Sequence, residues 1–147
     1  MVVLGLTIWV VFPLIFVSLN RYFNLPVVLF FPLQILGGLL INVALTVIAY
    51  LFFLFRIHGK GTPIPTQPTK KVISVGLYRY SRNPMYLCHL TIILGEWFIS
   101  GQTILLVYLV LLWLGINQAV IWWEEPDLKR RLGKSYLEYL QRVPRWL

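Results

Sequence analysis

Residues 103–126 read TILLVYLVLLWLGINQAVIWWEEP: 21 uncharged, mostly apolar positions, then two glutamates and a proline. A helix needs about 20 apolar residues to cross the hydrocarbon layer, with about 17 as a practical minimum. The stretch 103–123 therefore predicts a membrane span. Ser100-Gly101-Gln102 separates it from a second apolar run, 84–99, and so short a connection predicts an antiparallel hairpin. Further upstream, 26–55 is long enough to cross with tilt. Pro32 is expected to kink its start, and Gly37 and Gly38 to allow close helix packing. Residues 2–19 form the first apolar run, ended by Asn20-Arg21-Tyr22-Phe23-Asn24. It lacks a basic leader and a small-residue cleavage pattern, which favours a retained helix over a signal peptide.

The connection 56–83 carries Gly59, Gly61, Pro63, Pro65 and Pro68 and is expected to be an extended cytoplasmic loop. In the tail, Leu128, Leu132, Tyr136, Tyr139, Leu140 and Val143 recur at helical spacing, with Lys129, Arg130, Lys134 and Glu138 on other faces. Residues 126–143 thus predict an interfacial amphipathic helix. The expected architecture is an all-α membrane protein, residues 1–147 forming one domain of four transmembrane helices plus this tail.

Composition agrees. The chain is 59% hydrophobic and 12% charged, with mean hydropathy +0.76, more apolar surface than a soluble domain of 147 residues can cover. The net charge of +8 does not indicate nucleic acid, because the basic residues flank apolar runs instead of forming a face on a soluble scaffold. Of thirteen Lys and Arg residues, six fall in 56–83, six in the tail and only Arg21 in the first connection. With four crossings, twelve share one side, which puts both termini in the cytoplasm. Cys88 is the only cysteine, so neither an internal disulfide nor a cysteine zinc cluster is possible, and no metal site is expected.

Several polar residues need an explanation. A charged side chain at the centre of a span costs about 2.5 to 3.5 kcal/mol on insertion scales. His89 and Glu96 lie seven apart on the third helix and share an inward stripe, either as structural hydrogen-bonding groups or as functional ones. The same offset stacks Asn117 over Glu124 and Gln118 over Glu125 at what looks like a helix C-terminus, an unfavourable place for anions. A cation from the loop or from a ligand is expected to compensate. Gly76 to Tyr86 reads GLYRYSRNPMY, with aromatic rings, guanidinium groups and an amide just before a helix whose first turn offers free N–H groups. It suits either an anion and ring site or a membrane-interface belt.

The order Gly59-x-Gly61-Thr62-Pro63, then residues 76–86, then Glu124-Glu125-Pro126, then Gly133, Tyr136-Leu137-Glu138-Tyr139 and Val143-Pro144-Arg145 resembles the small membrane methyltransferases of the isoprenylcysteine carboxyl methyltransferase and phospholipid methyltransferase group. The likeness runs from about Gly59 to the end. It implies S-adenosylmethionine as methyl donor and a lipid or lipidated acceptor. By this resemblance Glu124 would meet the donor's ammonium, Asn83 and the backbone at Pro84 its carboxylate, and Tyr78, Met85 and Tyr86 its adenine, with Arg82 a further cofactor-binding residue. Lys70, Lys71, Val72 and Ile73 would line it through their backbone. Glu125 and His89 are the catalytic candidates, as general bases for an amine or hydroxyl acceptor. Two departures stand out: Asn83 replaces the histidine of the prenylcysteine enzymes, and Val120 their substrate-side arginine. The alternatives are a membrane sterol or steroid reductase using NADPH, and a non-catalytic membrane adaptor.

Overall fold

In the computed structural model, residues 5–58 and 71–147 are described; Lys70 and the glycines and prolines of 59–68 lie outside them. The described residues form helices and no strand. Helix α1 is Thr7–Tyr22, α2 Phe31–His58, α3 Pro84–Ser100, α4 Ile104–Leu132 and α5 Lys134–Arg142, with a 3₁₀ turn at Gly76–Arg79. Helices α2 and α4, of 28 and 29 residues, are long and apolar enough to cross a membrane. Helix α1 is also apolar but shorter.

Several expected boundaries move. Pro26 to Phe30 are extended, not helical. Helix α2 begins at Phe31, so Pro32 sits in its first turn, where its missing N–H costs nothing. The tail is two helices, because Gly133 between them takes φ +55°, a left-handed conformation that ends α4.

Prolines also shape α1 and α4 internally. Pro13 and Pro126 lack the N–H for an i→i−4 bond. The turn before each widens to a π-turn, Thr7–Val11 and Val120–Glu124, closed by Phe12 N–H to Thr7 O and by Glu125 N–H to Val120 O. Helix α4 thus continues past the glutamates to Leu132. Glu124 and Glu125 are interior residues of a continuous helix, not the C-terminal anions the sequence suggested.

The chain divides into two compact units, residues 1–46 with 88–115, and 47–87 with 116–147. The core of the first is Ile93, Leu105 and Tyr108, packed by Trp9, Phe16, Val17, Trp97, Leu109 and Leu112. Asn20, 1% exposed, ties its loops together: its Oδ1 accepts the Ile104 N–H at 3.0 Å, at the start of α4, and its Nδ2 donates to Leu25 O at 3.1 Å. Gly101 (φ +66°) lies against the Val28 backbone and accepts its N–H at 2.9 Å. In the second unit, Tyr136, Tyr139 and Val143 form a buried cluster with Val72, Leu128, Leu132 and Leu140, so the apolar residues that recur at helical spacing in the tail pack within the unit.

Candidate functional site

The polar residues of the second unit converge around residues 81–86. Asn83 stands at the head of α3, its carbonyl accepting Leu87 N–H at 3.3 Å and its own N–H bonded to Ser81 Oγ at 3.1 Å. Pro84 fits the turn that follows, where no N–H is needed. One turn into α3, the Tyr86 hydroxyl donates to Glu124 Oε2 at 2.9 Å. Arg82 Nη1 donates to Glu125 Oε1 at 2.9 Å.

The two glutamates differ sharply in their surroundings. Glu125 is buried and held by Arg82 and by Arg145, whose Nε and Nη2 reach Oε1 at 2.8 Å and Oε2 at 3.1 Å. This hydrogen bond raises the Arg145 guanidinium above its ordinary value. Glu124 is half-buried and accepts its hydrogen bond from the neutral Tyr86 hydroxyl. The compensating cation foreseen for the pair is therefore found at Glu125, and Arg82 comes from the loop.

The π-turn explains the difference. It adds one residue to the turn, so the side chain brought over Asn117 lies eight positions on, at Glu125, and not seven on at Glu124 as regular spacing suggested. Both Asn117 and Glu125 accordingly bind adjacent residues of the C-terminal segment: Trp146 Nε1 donates to Asn117 Oδ1 at 3.0 Å, next to the Arg145 pair. The same segment runs along 81–83. Arg82 N–H donates to Pro144 O at 3.0 Å, and Asn83 Nδ2 and Ser81 Oγ donate to Arg145 O at 3.0 and 3.4 Å.

Tyr78 is buried under the tail, its carbonyl accepting the Tyr139 hydroxyl at 2.7 Å and its ring meeting Phe55 edge-on at 5.6 Å. Gly76 takes φ +59°, which a side chain would strain, and lies against the side-chain ends of Tyr50 and Leu54. Met85 and Ile73 are buried, Val72 packs into the tail cluster and Lys71 is exposed. Val120 is 1% exposed, packed inside the fold. His89 and Glu96 belong to the first unit, His89 with its ring 5.2 Å from that of Trp9. Arg82, Asn83, Pro84, Met85, Tyr86, Glu124 and Glu125 thus share one unit; His89 does not. No group of His, Cys, Asp or Glu among the described residues could hold a metal ion.

A family model described as phospholipid methyltransferase matches residues 33–135, about 70% of the chain. The chain belongs to the phospholipid methyltransferase family. No curated protein and no solved structure matches it. Membership makes it a methyltransferase-family protein with a membrane lipid-type substrate, and the matched span includes Arg82 to Tyr86 and both glutamates. Arg145 and Trp146, which sequence reading did not place in the site, lie beyond it. In the sequence, Arg145 belongs to the Val143-Pro144-Arg145 motif but is given no role, and Trp146 carries no signal beyond a hydrogen-bonding side chain near the end of the tail.

Proposed function

We propose that this phospholipid methyltransferase family member transfers the methyl group of S-adenosylmethionine to a lipid-borne acceptor, at the end of α3 and α4 marked by Tyr86 and Glu124. The observation that carries the reading is the Tyr86–Glu124 hydrogen bond at 2.9 Å, beside the first turn of α3 and inside the family match. The donor is a zwitterion with a flat base. It calls for a carboxylate, hydrogen-bond donors and aromatic or apolar surface, and the second unit holds all three.

In this reading Glu124 takes the ammonium. The backbone N–H groups at the head of α3 take the carboxylate, supported by Asn83 and by Arg82, whose buried Nε has no hydrogen-bond partner among the described residues. Met85, Tyr78 and Tyr86 enclose the base, while residues 70–73 supply backbone along it. When bound, S-adenosylmethionine supplies a methyl group already activated by a sulfonium. The protein's own task is to orient the acceptor and exclude water. Val120 brings no cation to the acceptor where the prenylcysteine enzymes have arginine.

The same reading takes the chain as four crossings with both termini and the 56–83 connection in the cytoplasm, supported by the Lys and Arg distribution. Calorimetry of the detergent-purified protein tests it: saturable binding of S-adenosylhomocysteine and none of NADPH is expected. Binding of NADPH alone would favour a reductase, and binding of neither a non-catalytic role.

A further inference from the structure

We propose that Glu125 is a positioning residue, latching the C-terminal strap 143–147 across residues 81–83 through Arg145 and so holding the head of α3 in its donor-binding form. The proposal rests on the donor reading above. Three observations carry it. Glu125 is 6% exposed, and both its oxygens are engaged by guanidinium groups; a carboxylate so held is a poor proton acceptor. The strap is bound by side chains and backbone alike: Arg82 N–H to Pro144 O, Asn83 Nδ2 and Ser81 Oγ to Arg145 O, and Trp146 to Asn117. All of these except Trp146–Asn117 fall on the segment between the 3₁₀ turn and α3, where the Arg82 N–H is held by the strap and not by the segment itself.

The π-turn before Pro126 is part of the device. By delaying the helix one residue it brings Glu125 over Asn117, toward the strap, and leaves Glu124 to Tyr86. Two adjacent glutamates thereby acquire separate tasks, one toward the ligand and one toward the chain's own terminus. With the strap latched, residues 81–83 are ordered before the donor arrives, and the ordering cost does not fall on binding.

The test compares the full chain with Arg145→Ala, Glu125→Gln, their double mutant and the milder Trp146→Phe. Two quantities are measured in detergent: amide hydrogen exchange at Arg82, and affinity for S-adenosylhomocysteine. Exchange at Ile104, bonded to Asn20 in the other unit, monitors retention of the fold. Arg145→Ala and Glu125→Gln are each expected to speed exchange at Arg82 by an order of magnitude or more and to weaken binding about tenfold. The double mutant should be little worse than either, because both remove one latch; Trp146→Phe should show a smaller loss of both. Wild-type exchange at Arg82 in Arg145→Ala would overturn the latch, and so would tighter binding once the strap is released. Absence of binding to the wild type would instead remove the donor reading and with it the affinity claim, while the exchange data alone would still confirm or refute the latch.

Discussion

Gly37 and Gly95 meet backbone to backbone: a Cβ on Gly37 would stand 2.6 Å from the Gly95 carbonyl oxygen, and one on Gly95 2.8 Å from that of Gly37. Helices α2 and α3 approach this closely only because neither position has a side chain. Gly37→Ala or Gly95→Ala is expected to destabilise the protein by about 1 to 3 kcal/mol. Gly38, with open space around it, is the control. Gly38→Ala should be neutral or stabilise by roughly 0.5 to 1 kcal/mol. Thermal unfolding in detergent measures all three, and equal shifts for Gly37 and Gly38 would refute the contact.

Asn20→Ala tests the knot of the first unit. The substitution leaves the Ile104 N–H and the Leu25 carbonyl without their buried partner, at a cost of about 1 to 3 kcal/mol. Hydrogen exchange at Ile104 should accelerate while exchange at Arg82 stays unchanged.

Alkali should loosen the tail before the rest. Burial, with the Glu125 carboxylate adding to it, pushes the Tyr136 hydroxyl up to about 12, and burial also raises Tyr139. Both are neutral in the fold at pH values where the unfolded chain would ionise them, near 10. The stability they contribute is complete below pH 10 and is lost as pH rises toward 12. Tyrosinate absorbance is expected to show two classes, the later one appearing together with rapid exchange in α5. Tyr139→Phe, which removes the hydroxyl from the buried Tyr78 carbonyl, should lower stability by about 1 to 2 kcal/mol at neutral pH.

The proposed four crossings would put the first connection and the tail on opposite sides. In a Cys88→Ser background, single cysteines replacing the exposed Tyr22 and Ser135 should react with an impermeant thiol reagent from opposite faces of sealed vesicles. Labelling from one face would contradict the topology.

Much of this was legible in the sequence, because long apolar runs and a helical period in the tail are local signals. The α3–α4 hairpin and the buried face of Tyr136, Tyr139 and Val143 follow from them directly. What was missed depends on single residues acting on the backbone or across the chain. Gly133 breaks the tail. Pro126 forces the π-turn that moves Glu125, not Glu124, over Asn117, and the seven-residue rule has no means of counting that extra residue. Asn20 binding Ile104 and Arg145 binding Glu125 join positions 84 and 20 apart in sequence. Periodicity says nothing about such pairs. Gly37 was anticipated as a packing site but Gly38 equally so, since only the rotation of α2 distinguishes them.

The most direct test of the account is calorimetric titration of S-adenosylhomocysteine into the wild type, Glu124→Ala and Glu96→Ala. Glu124 bonds Tyr86 at the proposed donor site, whereas Glu96 lies in the other unit. Saturable binding in the wild type, its loss in Glu124→Ala and its survival in Glu96→Ala are the predicted results. Equal affinities in all three, or no binding to the wild type, would contradict the assignment.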